Sequence, residues 1–323
     1  MTGPVAQTSL SATGADVLRR KGKSFYWAGQ LLTAEQLESA ANLYQICRSI
    51  DDLVDEASTP AQAMAADRQL GEFYQALISR PTLADEKPKL YQQAELLLGE
   101  HPLALSALGD LVDTVRRDLD LVRMANQAEL LRYCYGVAGT VGVMMTCLLN
   151  AREREKALPH AIDLGIAMQL TNISRDVLDD AHLNRLYLPA DGAAGTIAPE
   201  DIVAGNRAAR HQAWLGARDL LGTSEAYYRS GWQGLGYLPF RARLAIAVAA
   251  KVYRQIGRQI LQRGEQRYWQ SRCVVGPAEK LRVSVGAVVQ LAAGAINRQA
   301  ISHDQALHQN LTTSLELHQP EKR

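Results

Sequence analysis

Two clusters of carboxylates dominate the chemistry this sequence could carry. The first lies in Tyr44-Gln-Ile-Cys-Arg48-Ser-Ile-Asp51-Asp52-Leu-Val-Asp55-Glu56, the second in Gln169-Leu-Thr-Asn172-Ile-Ser-Arg175-Asp176-Val-Leu-Asp179-Asp180. In an α-helix, residues four apart are displaced by only about 40° around the axis and about 6 Å along it. Asp51 and Asp55 therefore project from one face, with Arg48 a turn earlier on the same side. Asp176 and Asp180 repeat the spacing; Asn172 extends that stripe by another turn, and Gln169 continues it. Each cluster interrupts an apolar helical pattern, Leu43, Ile46, Ile50 and Val54 in one case and Ile166, Leu170, Ile173 and Val177 in the other. One isolated pair of this kind is most simply a solvated helix face. Two pairs in apolar helices, each beside an arginine, call for a cation, because carboxylates so close repel one another.

Facing carboxylate pairs suit Mg²⁺, with Mn²⁺ as a substitute, since a hard cation takes oxygen ligands and combines carboxylates with substrate phosphate oxygens. No His or Cys cluster accompanies the acids, the seven histidines are scattered, and HExxH is absent, so a histidine-based metal site is not expected. GxSxG, Walker A and GxGxxG patterns are absent too. Metal-carboxylate clusters without a nucleophile fit the ionisation of an allylic diphosphate. The metal takes up charge on the leaving group, basic residues add anion contacts, and an apolar, partly aromatic cavity keeps the carbocation from water.

The elements that must position these groups read as helices. Leu31, Leu37, Ala41, Tyr44, Cys47 and Ile50 recur mostly at three or four residues, as do Leu105, Leu108, Leu111, Val115 and Leu119, while alternating β-branched runs are almost absent. The fold class is all-α. A Gly, Ala and Pro-rich break at 187–206 reads as a loop inside one domain, with Pro199-Glu200-Asp201 opening a short helix. Residues 1–14 read as a flexible N-terminal tail, 15–302 as one domain and 303–323 as a polar C-terminal tail. Gly136, Gly139 and Gly142 mark a place where a helix or a substrate chain approaches the backbone closely.

The 323 residues are 47% hydrophobic and 21% charged, and 35 Lys and Arg nearly balance 34 Asp and Glu. That balance gives no field for nucleic acid. Cys47, Cys134, Cys147 and Cys273 form no CxxC pair and read as reduced, buried thiols. The start of the chain lacks a secretory pattern, and Val137–Leu149 and Leu244–Ala250 fall short of the about 20 residues that span a bilayer. The expectation is a soluble cytoplasmic protein, at most peripheral on the inner face of the membrane.

The motifs also resemble a known family, the trans-isoprenyl diphosphate synthases of the squalene and phytoene synthase type, over about residues 20–290. They are Ser24-Phe25-Tyr26, the run from Cys47 to Asp55, Tyr133-Cys-Tyr-Gly-Val-Ala-Gly-Thr-Val-Gly142, and the run from Gln169 to His182 followed by Arg185-Leu-Tyr-Leu-Pro189. The stretch from Gln169 to Pro189 is most similar to bacterial phytoene synthases. The resemblance implies an isoprenoid-synthase helical bundle with both aspartate segments facing a central cavity. There two prenyl diphosphates, geranylgeranyl diphosphate by that similarity, join head to head through a cyclopropyl diphosphate. No nicotinamide cofactor is then needed. By motif matching, Asp51, Asp55, Asn172, Asp176 and Asp180 hold metal. Lys23, Ser24, Arg48, Gln169 and Arg175 hold or surround diphosphate, with Arg272 a further ligand. Phe25, Tyr44, Tyr133, Val137 and Tyr253 line the cavity, and Asp118, fifteen residues before Tyr133, lies near the reaction centre. Gly22-Lys23-Ser24 departs from the Ser-Lys-Ser of many relatives, and Asp179 stands where many have glutamate.

Three other readings compete. Squalene or dehydrosqualene synthesis would use farnesyl diphosphate in the same cavity, the former with a nicotinamide reductant. A terpene cyclase shares the acidic motifs but not the segments 133–142 and 185–189. A non-catalytic helical scaffold would have no need of intact aspartates.

Overall fold

The periodic segments fold as helices throughout the computed structural model, which describes residues 14–81, 87–294 and 302–311. In chain order they are α1 (Gly14–Lys21), α2 (Lys23–Gly29), α3 (Ala34–Asp55), α4 (Pro60–Ser79), α5 (Lys89–Leu98), α6 (Pro102–Arg116), α7 (Gln127–Cys134), α8 (Thr140–Leu148), α9 (Arg154–His182), α10 (Pro199–Val203), α11 (Arg207–Gly234), α12 (Phe240–Tyr268) and α13 (Pro277–Gly294). No strand occurs among the described residues; a lone bridge joins Arg123 to Leu186. The all-α expectation holds.

Local chemistry starts the key helices. Thr33 caps α3 by accepting from the Gln36 backbone N–H while the Gln36 side chain returns the bond, and Thr59 with Gln62 does the same for α4, where Pro60 fits the first turn. Asn206 caps α11 through the N–H groups of Ala208 and Ala209. Such caps satisfy backbone donors that the first turn leaves without partners.

The long helix α9 runs through the middle of the bundle, packed by α8, α11 and α12. Ile162, Ile166, Leu170, Ile173 and Val177 form its buried stripe, and α3 buries Leu43, Ile46, Ile50 and Val54. Each such side chain contributes about 1.5–3 kcal/mol relative to an exposed one. The acidic positions lie off these stripes, so burial of the apolar face sets their direction.

The glycine spacing serves helix packing. A Cβ on Gly142 would stand 2.3 Å from the carbonyl oxygen of Ala161, and one on Gly165 would stand 2.2 Å from that of Ala138. The chain between α7 and α8 thus lies backbone to backbone against α9. That stretch, Tyr135–Gly139, is a π-helical turn, an irregularity that often marks functional sites.

The break at 187–206 is bonded at its start to the segment between α6 and α7. Leu186 N–H donates to Val122 O (3.1 Å) and Ala190 N–H to Met124 O (3.0 Å). Tyr187 and Leu188 are buried, and α10 starts at Pro199 as expected. All four cysteines are free, Cys47 half-buried and the rest buried. The tail assigned to 303–323 is docked over its first part: Gln305–Leu311 forms a 3₁₀ turn and Leu311 is fully buried. The tails at 1–13 and 312–323 lie outside the described residues.

Candidate active site

The last two turns of α3 carry Arg48, Asp51, Asp52 and Asp55, and the second half of α9 carries Gln169, Asn172, Arg175, Asp176, Asp179 and Asp180. A cavity of about 350 Å³ lies between them. Its polar end is lined by Asp51 and Tyr44 from α3 and by Gln169 and Asn172 from α9. Phe25 of α2 and Val137 of the π turn also line it. Deeper, the walls are Leu37, Met145, Leu149, Leu164, Leu235, Leu238 and Ile246, with His160 beside them. Asp55, Asp176 and Asp180 continue the two polar stripes beyond the lining residues, one or two turns along each helix.

Arginines and a lysine occupy these carboxylates. Arg175 Nε and Arg272 Nε each donate to Asp176 Oδ1 at 2.7 Å, and the second nitrogen of each guanidinium reaches Oδ2. Arg272 also stands 3.7 Å from Asp179. Arg185 Nη1 donates to Asp55 Oδ1 (2.7 Å), Lys21 Nζ donates to Asp52 (3.0 Å), and Arg48 pairs with Asp52 while lying 4.0 Å from Asp55. Arg48, Arg175 and Arg272, expected near diphosphate, are thus at the carboxylates that would face it. Arg185 and Lys21 had been given no role from sequence; Arg185 opens a recognised motif, so its charge was the available signal.

The electrostatics of the site are those of crowded, buried acids. Burial pushes the Asp51 carboxyl up to about 7, Arg48 opposes the shift, and Asp55, Asp52 and Asp118 add to it. Burial and then Asp176 lift Asp180 well above the carboxylate range. Asp176 goes the other way: burial raises it, but the forks of Arg175 and Arg272 outweigh burial and hold it below its ordinary value. Asn172 Oδ1 is buried without a hydrogen-bond partner, although its Nδ2 donates to Gln169 Oε1 (3.2 Å). An unsatisfied buried oxygen costs about 1–3 kcal/mol. An orphaned acceptor beside carboxyls that resist ionisation is a donor set that fits a hard divalent cation.

Tyr133 and Tyr253 depart from expectation. Neither lines the cavity. Tyr133 O–H donates to Asp118 Oδ2 (2.7 Å), Tyr187 O–H donates to the same oxygen (3.0 Å), and their rings pack at a tilt, centroids 4.8 Å apart. A phenol at the polar rim does better bonding a buried carboxylate than facing hydrocarbon. Tyr253 is buried behind Phe25, ring centroids 4.9 Å apart. Burial raises Asp118, and the two phenols and Arg185 oppose it. Tyr187 was missed as a site residue, though it lies in the Arg185–Pro189 motif. Ser24 is half-buried, and Lys23 is exposed at the start of α2, its carbonyl 3.4 Å from Lys280 Nζ.

Comparison with known proteins converges on one group. The profile described as squalene/phytoene synthase matches residues 18–279. The chain is 35% identical over 286 residues to a 15-cis-phytoene synthase of Enterobacter agglomerans, covering 86% of this chain and 95% of the relative. It is 36% identical over 241 residues to a phytoene synthase of Thermus thermophilus, covering 74% and 79%. Among solved structures, a dehydrosqualene synthase in complex with ligand superposes with a TM-score of 0.68 at 25% identity, over 87% of this chain and 95% of that one. A squalene synthase from Alicyclobacillus acidocaldarius gives 0.61 at 18% identity, over 77% and 94%, a likeness of fold.

Proposed function

The chain belongs to the squalene/phytoene synthase family, a class of divalent-metal-dependent prenyl diphosphate enzymes, and we propose that it is a phytoene synthase. It joins two geranylgeranyl diphosphates head to head through a cyclopropyl diphosphate, and releases two diphosphates and two protons, one on closing the cyclopropane and one on forming the central double bond, to give phytoene. The observation that carries this reading is the cavity with carboxylate and amide oxygens at one end and hydrocarbon along the rest of its length.

Asp51, Asp55, Asn172, Asp176 and Asp180 would hold Mg²⁺, or Mn²⁺ in its place. When bound, the metal acts as a Lewis acid on the departing diphosphate. The protein's own groups do the rest. Arg175 and Arg272 release Asp176 and turn their forks to diphosphate oxygens, which suit bidentate guanidinium contacts. Arg48 and Arg185 do the same from the α3 side. Phe25 and Tyr44 face the developing carbocation with their rings. Asp118, fixed by Tyr133 and Tyr187, places a negative group near the reacting carbons. The apolar walls exclude water, which would otherwise capture the cation.

The deciding experiment incubates purified protein and Mg²⁺ with geranylgeranyl or farnesyl diphosphate, with and without NADPH. A C40 product from geranylgeranyl diphosphate without reductant is expected; a C30 product would move the chain to the squalene branch, and no product would return the scaffold and cyclase readings.

No described helix is long and apolar enough to cross a membrane. An exposed stripe of Leu281, Val285, Val288 and Val289 on α13 supports peripheral attachment. The same helix reaches α2 at the cavity wall through Trp27 Nε1, which donates to Ser284 Oγ (3.1 Å). A lipid-facing stripe there would shorten the path of prenyl chains between bilayer and cavity. Flotation with liposomes that recovers no protein would remove this part of the proposal.

A further inference from the structure

A second cluster of ligand-type atoms lies on α9 some thirteen residues before Asp176, about 20 Å along the helix at 1.5 Å per residue. Asp163 is fully buried between Ile162 and Leu164. His303 Nε2 stands 2.7 Å from its Oδ2 and His308 Nε2 stands 2.7 Å from its Oδ1. The two imidazole rings are 4.4 Å apart, and the three ligand atoms all lie within 4.8 Å of one another. Both histidines come from the docked C-terminal segment and keep 12% of their side-chain surface exposed.

We propose that Asp163, His303 and His308 form a transition-metal site of the Zn²⁺ class that fastens the C-terminal segment to α9. Two imidazole nitrogens and one carboxylate are a borderline-soft donor set, distinct from the all-oxygen set at the other end of the helix. The spacing His303-x₄-His308 falls within the His-x₃₋₅-His range of zinc ligands. Around a tetrahedral ion with ligands at about 2.0–2.1 Å, neighbouring ligand atoms lie about 3.3 Å apart, so each N···O pair now at 2.7 Å would need to part by only a fraction of an ångström. Solvent reaches the fourth position past the partly exposed rings.

The surroundings orient the ligands. Ser230 O–H donates to Asp163 Oδ2, so His160 Nδ1 must in turn donate to Ser230 Oγ at 3.0 Å. Such a chain behind a ligating carboxylate is the usual support of a metal site. Tyr227 O–H donates to Leu307 O (3.0 Å), which holds the segment between the two histidines in register. Since His160 lines the cavity and its ring meets that of His303 at 5.2 Å, the site also backs the deep end of the cavity.

The test uses the full chain, stripped with chelator and titrated with Co²⁺ and then Zn²⁺. One equivalent of Co²⁺ with d–d absorption is expected, displaced by Zn²⁺, and persisting in an Asp51→Ala/Asp176→Ala variant. His303→Gln and His308→Gln should each weaken Zn²⁺ binding at least tenfold. Absence of stoichiometric binding to the wild-type chain would overturn the site and leave a hydrogen-bonded clamp. Should the variants unfold by circular dichroism, X-ray absorption of the zinc-loaded wild-type chain decides: imidazole scattering supports the proposal and an all-oxygen shell overturns it.

Discussion

Asp51 and Asp176 occupy matching places on α3 and α9 yet sit in opposite electrostatic states, and the difference is testable. Asp176 is neutralised by two guanidinium forks, whereas Asp51 is lifted to about 7 by burial and by its acidic neighbours against the pull of Arg48. A carboxyl whose folded pKa lies above its unfolded value of about 3.9 binds more protons in the folded state. Its ionisation therefore costs stability progressively as pH rises from about 4 to about 7, and the cost is fully present above that. Asp51→Asn should accordingly melt a few degrees above wild type at about pH 8 without metal, with the gap closing by about pH 4. The same variant should lose Mg²⁺-dependent turnover while keeping its helical circular dichroism. Equal melting curves across that range would remove the electrostatic account of Asp51. For Arg272, whose fork would pass from Asp176 to diphosphate, Arg272→Ala should raise KM roughly 10–100-fold, the worth of lost charge-assisted hydrogen bonds. An unchanged KM would assign it a structural role alone.

At the scale of elements, the crossing of α8 on α9 fixes how the second acidic stripe meets the cavity. Gly142→Ala would press a methyl group against the Ala161 carbonyl, 2.3 Å away. The backbone must yield, at a cost of about 1–3 kcal/mol. The expected result is a Tm lower by several degrees together with a fall in kcat, because Asn172 and Asp176 ride on the displaced helix. A variant with wild-type Tm and kcat would show that the two backbones have room. Both helices and both acidic stripes were legible in the sequence, because periodicity and four-residue spacing are local properties. The π turn was not, since nothing in Tyr135–Gly139 distinguishes i→i+5 from i→i+4 hydrogen bonding until α9 presses on it. The tyrosines misled for a related reason: Tyr133 and Tyr253 are apolar enough for a cavity wall, but the Asp118 partner of the Tyr133 hydroxyl and the rings that pack on both tyrosines come from other segments. The union of Asp163 with His303 and His308 spans about 140 residues of chain, beyond the reach of any motif spacing, and scattered histidines gave no hint of it.

For the whole molecule, the helix that bears the exposed apolar stripe, α13, is bonded to α2, which also supplies Phe25 to the cavity. Replacing Val285 and Val289 by serine should cut liposome recovery severalfold while leaving turnover of detergent-dispersed substrate near wild type. Unaltered recovery would place any membrane contact elsewhere. The helix α9 runs along this cavity. It carries the acidic stripe in its second half, forms a wall of the cavity through Leu164 and Met168, and reaches the deep end at His160. Because a helix rises by a fixed increment per residue, the distance from the reacting carbons to the cavity floor is counted out in residues along one rigid rod. α9 is therefore a ruler, and product length can drift through changes in side-chain size at its deep end without touching the groups that perform the ionisation. Such a division lets a lineage explore longer and shorter products while its chemistry stays intact.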